Sequence, residues 1–430
     1  MLQFWICIVA MTALSIVYTL SMTYVLKLKY PYGLPLFFSD DRWFDFTIYH
    51  DRFQNFRTAS FWDEYDYPFT YPAPLAVLYG VLYKVPHVLR YYLIAYAEAV
   101  VVAAWMLMRA LHARGLARGV TIAFTATLFL TSYPIRTLFE SANTEGIVAV
   151  LLAAGVYAVL RDRCWLGATL IAIAGTMKVF PLILLALLLS KRRYREFTWG
   201  LIATAAVTVG SLAIVGPSIL EAQRHIDAGI HYVKFTFIFS RSPAAVTFNH
   251  SLFTLVKFGM LVIERHLHPM AAYTHADLLL RAARERTMLN TTFNVYVTVA
   301  ALFGIVAYFV WIRRMPLLNQ VLALTACSLL LPPLSADYTL LHLLFPFALL
   351  CLYATGQWRD RVPVRGLIAC FLCFAPIFSF QTYITFRYRF SCEFRGLGLM
   401  ALLYVAMRYR FPWTELQEQN DPIVAPKTSR

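Results

Sequence analysis

Charge is scarce in this chain. Only 14% of its 430 residues are Asp, Glu, Lys or Arg, against about 25% in an average soluble protein. Acids are the scarcer sign, with 23 Asp and Glu against 38 Lys and Arg. Internal repeats of roughly 20–50 residues and low-complexity tracts are also missing, which excludes solenoids and disordered linkers. The 7 cysteines lie mostly inside apolar runs and read as small packing residues rather than as a disulfide framework. What is abundant is apolar surface. Hydrophobic residues make up 60% of the chain, against about 45–50% in soluble domains, and the mean hydropathy is +0.61. A soluble fold of this size cannot bury that much apolar area, so the expected class is an all-α polytopic membrane protein. The net charge of +15 is then a matter of short loops beside anionic headgroups, not of nucleic acid.

Apolar runs long enough to cross a bilayer occur at 3–26, 88–111, 119–137, 144–160, 197–216, 292–312, 316–333, 338–354, 366–384 and 395–411. The first is too long for a signal-peptide core and has no basic residue before it, so it reads as a retained span. The stretch 164–190 carries Lys178 and Pro181 in its middle. A lysine at the bilayer centre is costly and proline breaks a helix, so two half-crossings with Lys178 at the turn are expected. That gives about 12 crossings with both termini cytoplasmic. It collects Arg109, Arg114, Arg118, Arg161, Arg163, Lys191–Arg193, Arg195, Arg313, Arg314, Arg359, Arg361, Arg365, Arg408 and Arg410 on the inner face. Lys27 and Lys29 resist by falling outside. Residues 71–88 are apolar between prolines and read as a dip that does not cross. The expected organisation is one membrane domain over 1–411, with long outer loops at 27–87 and 217–291, and a polar tail at 412–430.

Several polar groups then converge on the outer face. Asp45 and Tyr49 lie at helical spacing just beyond the first span, among aromatics that include Tyr71. A carboxylate there can be desolvated enough to act as a general base; the alternative is a solvated interfacial helix with a membrane belt of aromatics. Asp40, Asp41 and Asp51 are its nearest competitors. Asn143 suits a helix N-cap and Glu145 the first turn after it, but carboxylates at Glu140 and Glu145 on a membrane boundary also suggest a polar cavity. Lys178 at a broken hairpin can hold a phosphate, or snorkel to the interface. Asn249-His250-Ser251 and Ser335-Ala336-Asp337-Tyr338, with His342 one turn on, complete the set.

In that order these residues resemble the GT-C integral-membrane glycosyltransferases, and specifically glycosyltransferase family 87, the polyprenyl-phosphate-mannose-dependent mannosyltransferase type. Asp45 and Tyr49 match an Asp-x-x-x-Tyr after the first span, and Phe69-Thr-Tyr71-Pro72-Ala73-Pro74 resembles a Phe-x-Tyr-Pro-Pro element. Residues 143–146 match an Asn-containing span start, and Lys178–Pro181 with Lys191–Arg193 a Lys-x-x-Pro hairpin followed by basic residues. Asn249-His250-Ser251 and Pro332–Tyr338 resemble the last two elements, so the likeness covers about residues 40–350. It implies a GT-C-type bundle and an active face that is periplasmic, on the inner membrane. It implies transfer of mannose from a polyprenyl-phosphate donor to a lipid or glycan acceptor, with inversion. In that scheme Asp45 is the base. Tyr49, Tyr71, Asn143, Glu145, Lys178, Asn249, His250, Asp337, Tyr338 and His342 bind substrate, and no cofactor or metal is required. Two departures stand out: Tyr338 where relatives often have His, and Ala142 where they have Gln. A transporter or lipid flippase is the rival reading. Such proteins also use intramembrane charges and broken helices, though near the midplane and between repeated halves.

Overall fold

The computed structural model describes residues 13, 17, 21–27, 43–58, 60–63, 68–240, 249–268, 274–355, 363–378, 385–386, 388–389 and 391–412. Most of the expected first span, the competitors Asp40 and Asp41, and the tail beyond 412 lie outside these residues. The described residues are helical apart from a two-residue ladder pairing Thr385–Phe386 with Tyr388–Arg389 and an isolated bridge between Asn249 and Ala336. Fourteen helices of nine residues or more are described: α1 (Ala73–Leu82), α2 (Val88–Ala113), α3 (Arg118–Thr131), α4 (Tyr133–Ser141), α5 (Glu145–Leu160), α6 (Cys164–Met177), α7 (Tyr194–Val215), α8 (Ile219–Val233), α9 (Leu252–Leu267), α10 (His275–Val310), α11 (Leu317–Leu330), α12 (Leu344–Thr355), α13 (Val364–Phe378) and α14 (Ser391–Arg408). Among the described residues four stretches are long and apolar enough to cross a membrane: Val88–Ala113, Tyr194–Val215, Asp277–Arg314 and Asp337–Thr355. The other apolar helices run to 10–17 residues, or about 15–25 Å at 1.5 Å per residue. A hydrocarbon core is about 30 Å thick. The membrane class stands on the four long stretches; the expected count of about 12 does not follow from helix length.

The helices run between two ends. At one end Arg114 donates to the Leu352 carbonyl at 3.0 Å and Lys191 to that of Val159 at 3.0 Å, Lys191 also pairing with Asp162. The Tyr308 hydroxyl reaches the Ala186 carbonyl at 2.7 Å, and the Asn319 amide reaches those of Ala406 and Tyr409 at 2.7 and 2.6 Å. The basic residues Arg161, Arg163, Arg192, Arg193, Arg313, Arg314 and Arg408 belong to the same turns. The contact between Lys191 and residues 159–162 decides the hairpin: 164–190 leaves this end and returns to it. Its turn is the extended Lys178, which ends α6 and leads through Val179 into a 3-10 helix at Phe180–Leu185 and a last turn at Ala186–Ser190.

The two arms and their neighbours pack closely because small residues face each other. A Cβ on Gly167 of α6 would lie 2.8 Å from the Gly155 carbonyl oxygen of α5 and 2.5 Å from Val159 Cγ2. α11 runs through the centre, with every residue from Leu318 to Leu330 buried. It packs against α14 and against the returning arm of the hairpin.

The segment 71–88, expected to dip without crossing, ends beside the loop near which it starts. α1 starts after Tyr71, and its Gly80 packs on the Phe56 ring. The Tyr83 hydroxyl donates to the Phe46 carbonyl, and Tyr92 in the next helix donates to the Asn143 carbonyl at 2.6 Å. The expected outer segment 217–291 is mostly helical, not loop. It holds α8, α9 and the first half of α10, whose 36 residues reach about 54 Å and are opened by a capping box of Thr274 and Asp277. The expected span 119–137 is divided at Ser132, whose extended backbone separates α3 from α4, with Pro134 in the first turn of α4. Cys370 and Cys373 stand three apart on α13, where Cys370 is fully buried in the core.

Gly167→Ala is expected to lower stability by about 1–3 kcal/mol, because the added methyl meets backbone that cannot step aside. Gly210→Ala, with nothing within 4 Å of the new Cβ, leaves stability unchanged or slightly raised. Thermal unfolding of the two variants in one detergent checks the pairing of α5 with α6.

Candidate active site

The site is built at the other end of the bundle, where the turn of the hairpin, the start of α5 and the loop 43–58 meet. Trp43, with φ 61°, opens a one-turn helix at Phe44–Thr47 that carries Asp45, and its N–H bonds the Glu140 carbonyl at 2.7 Å. Ala142, with φ 50°, ends α4 and turns the chain into α5. Two non-glycine residues in the left-handed region, one on each side of the site, mark a backbone held in place by its surroundings.

Asn143 sits at the hub. Its side-chain N–H groups donate to Asp45 Oδ2 at 2.8 Å and to the Tyr71 hydroxyl at 3.3 Å, and its Oδ1 accepts from the Glu145 N–H at 2.9 Å. Thr144 is the N-cap of α5, and Asn143 just before it bonds the first N–H of that helix while reaching Asp45 and Tyr71. Glu145 is fully buried. One of its oxygens lies 2.5 Å from His342 Nε2 and the other 3.7 Å from Lys178 Nζ. Lys178 thus has an acidic partner, where the sequence alone leaves it unpaired. Its ammonium also lies 4.6 Å from the Tyr71 ring centroid and 5.7 Å from that of Tyr338, a cation held between π-faces. Glu140, the other boundary carboxylate, turns away to Arg136 at 2.7 Å.

Asp45 is partly buried among aromatic side chains. That desolvation raises its carboxyl above the ordinary range, and the Asn143 hydrogen bond and the charge of Lys178 oppose the rise. Tyr49 is buried nearby, with its hydroxyl 2.8 Å from Thr70 Oγ1. Burial pushes that phenol up to about 12, so it stays protonated. The helical pairing of Asp45 with Tyr49 is shorter than expected: the helix stops at Thr47 and the Asp45 carboxylate accepts from Asn143. Asp51 is exposed and pairs with His50 at 3.1 Å, which separates it from Asp45 by environment.

A groove of about 1350 Å³ leads away from this cluster. It runs between α2, α5 and α12, from Tyr96, Gly146 and His342 to Arg114 and Arg161 at the opposite end. Alanines at 99, 103, 149, 153 and 348 leave the space. Val102, Met106 and Val150 along it are more than half exposed, so the groove opens sideways. His342 forms its end wall, and the Nδ1 of that ring has no hydrogen-bond partner among the described residues.

Of the sequence candidates, Asp45, Tyr49, Tyr71, Asn143, Glu145, Lys178, Tyr338 and His342 come together here. Asn249, His250 and Asp337 form a second cluster with Ser335, Tyr133 and Arg395. Arg395 and Tyr133 were missed by motif reasoning. The only sequence signal was an arginine opening an otherwise apolar span. Among the described residues no group of three or more His, Cys, Asp or Glu is placed to hold a metal ion.

The family model for Glycosyltransferase family 87 matches residues 69–336. The match includes Tyr71, Asn143, Glu145, Lys178, Asn249 and His250, and it excludes Asp45, Tyr49, Asp337, Tyr338 and His342, which rest on the geometry. No curated protein and no solved structure matches the chain.

The raised carboxyl of Asp45 is directly measurable. Carbodiimide modification of Asp45 against pH is expected to titrate above the ordinary value of about 3.9. Asn143→Ala removes an interaction that lowers the value, so it moves the midpoint further up. A midpoint at or below the ordinary value, or one that falls in the variant, contradicts the described environment.

Proposed function

Because the chain belongs to glycosyltransferase family 87, and is therefore a membrane glycosyltransferase, we propose that it transfers mannose from a polyprenyl-phosphate donor to a hydroxyl of a lipid or glycan acceptor. The observation that carries this reading is a chain of contacts: His342 walls one end of the apolar groove and meets Glu145, Glu145 pairs with Lys178, and Asn143 beside them bonds Asp45. The lipid chain of the donor lies along the alanine-lined groove and enters sideways from the bilayer. Its phosphate meets Lys178, whose ammonium has hydrogen-bonding capacity left beside Glu145 and binds as a point charge. Asp45 removes the proton from the acceptor hydroxyl. The hydroxyl oxygen attacks the anomeric carbon from the face opposite the phosphate. The carbon–oxygen bond to phosphate breaks with inversion, and the polyprenyl phosphate leaves with the bonding pair, its growing charge met by Lys178. Tyr71, Tyr338 and Tyr49 line the sugar's place, and Asn143 orients Asp45. Glu145 holds Lys178 and His342 toward the same point.

In this reading residues 1–411 form one GT-C-type domain of about 12 crossings with a polar tail, embedded in the inner membrane with the site periplasmic and both termini cytoplasmic. Support comes from the gathering of basic turns at the end opposite the site. The transporter and flippase alternative gives way to the family assignment.

Asp45→Asn keeps the shape of the side chain and removes its basicity. General-base catalysis typically contributes about 10²–10⁴-fold, so transfer from polyprenyl-phosphate-mannose in vesicles is expected to fall by that order with donor binding retained. Lys178→Ala is expected to weaken donor binding by about 1.5–3 kcal/mol, and Asp51→Asn to leave both unchanged. Near-normal transfer by Asp45→Asn sinks the base assignment. Labelling of single cysteines in intact cells tests the orientation separately. Position 228 is expected to react from outside and position 193 not to, and the reverse pattern inverts the site.

A further inference from the structure

The transfer scheme uses one side of the site and leaves the second buried cluster without a role. Asp337 Oδ2 accepts from Arg395 Nη1 at 2.7 Å and from the Tyr133 hydroxyl at 2.6 Å. Its Oδ1 lies 3.5 Å from His250 Nδ1, and the His250 Nε2 lies 2.9 Å from Ser335 Oγ. The Arg395 guanidinium covers the Tyr133 ring at 3.8 Å. Arg395 and Asp337 are 1% and 2% exposed. The surrounding backbone is tied down as well. The His250 N–H donates to the Ser335 carbonyl at 3.0 Å, and the Asn249 side-chain oxygen accepts from the Ser335 N–H at 2.9 Å. Four elements thus meet on one carboxylate: α4, the segment 249–251 that leads into α9, α14, and the 3-10 helix Asp337–Leu343.

That 3-10 helix supplies the site with two side chains. Tyr338, next to Asp337, faces Lys178, and His342 reaches Glu145. With its Oδ2 shared between Arg395 and Tyr133 and its Oδ1 facing His250, Asp337 is committed to the fold and not to substrate. Resting on the transferase reading above, we infer that Arg395 is a positioning residue: by clamping Asp337 it fixes the start of the 3-10 helix, and so sets Tyr338 and His342 against Lys178 and Glu145. Removing one member of a buried ion pair leaves the other charge uncompensated. Lysine does not replace arginine here, because only the planar fork both stacks on Tyr133 and donates in its own plane.

His250 gives this clamp a signature. The charged groups that face it are Asp337 from the 3-10 helix and Arg395 from α14, with Tyr133 of α4 on the far side of Asp337. Burial favours its neutral form, Arg395 adds to that, and Asp337 opposes both. Without Arg395 the repulsion disappears and Asp337 loses its counter-charge. The imidazolium of His250 then becomes the available partner, and it forms as pH falls.

The test compares full-length wild type, Arg395→Met and Arg395→Met/His250→Gln in vesicles. Two readouts are followed from about pH 8 to about pH 6: transfer from polyprenyl-phosphate-mannose, and hydrogen-exchange protection of residues 336–343 with no donor present. At the higher pH, Arg395→Met is expected to lose about tenfold or more in kcat and to lose protection of 336–343. Both recover toward the lower pH, and the double variant shows no recovery. A profile parallel to wild type with unchanged protection overturns the inference, as does recovery that persists without His250. If Arg395→Met does not fold, Arg395→Lys replaces it. That variant is expected to fold, lower kcat about threefold or more and show no recovery; a wild-type kcat in it overturns the inference. Because exchange is read without donor, a wild type that fails to transfer this sugar strikes the proposed donor and leaves the clamp to be judged on protection alone.

Discussion

A carboxylate buried to zero exposure must be answered by charge or hydrogen bonds, and in this protein that carboxylate is Glu145. His342 answers one oxygen and Lys178 the other. Meeting that demand draws three separate elements to one point: the first turn of α5, the turn of the 164–190 hairpin and the 3-10 helix before α12. Once they meet, Lys178 stands across Asn143 from Asp45, and the rest of the site follows. The proline-broken hairpin lets a lysine arrive without an intact helix behind it. The αL residue at Ala142 lets the chain turn sharply enough for Asn143 to serve both Asp45 and the Glu145 N–H. The environment is apolar on nearly every side, so charge interactions here are worth several times their value in water.

The groove and the ionic cluster belong together physically. A long apolar channel whose end wall, His342, is tied through Glu145 to Lys178 suits a molecule with an apolar tail and an anionic head. The alanines that hollow it lie along the three helices that form its walls, so the lining is the product of small residues at repeated helical positions rather than of an irregular loop. At the far end stand Arg114 and Arg161, where the chain carries its basic turns.

Much of this was legible in the sequence because the signals are local. Apolar content gave the class, and Lys178 with Pro181 gave a hairpin that the contact between Lys191 and Asp162 bears out. The chain order of Asp45, Tyr71, Asn143 and Lys178 carries the resemblance in the sequence itself. What stayed hidden depends on distance along the chain. Arg395 meets Asp337 across 58 residues, and no periodicity announces an ion pair of that kind. Asp45 and Tyr49 stand at helical spacing, but the helix itself ends at Thr47, and the bond between the Tyr49 hydroxyl and Thr70 leaves no trace in that spacing. The helices within 217–291 were hidden because those at Ile219–Val233 and Leu252–Leu267 are polar on one side, so the segment carries no continuous apolar run. Tyr338 and His342, one turn apart, divide their contacts: His342 faces Glu145, while Tyr338 offers its ring to Lys178.

The central claim is that Lys178 and Asp45 face the two ends of the reaction at the mouth of the groove. A structure of the Asp45→Asn protein in lipid with polyprenyl-phosphate-mannose bound tests it most directly. The account predicts the phosphate on Lys178, the anomeric carbon between it and residue 45, and the isoprenoid chain along Ala149 and Ala153. A phosphate seated instead beside Arg114 and Arg161, or a lipid bound outside the groove, contradicts it.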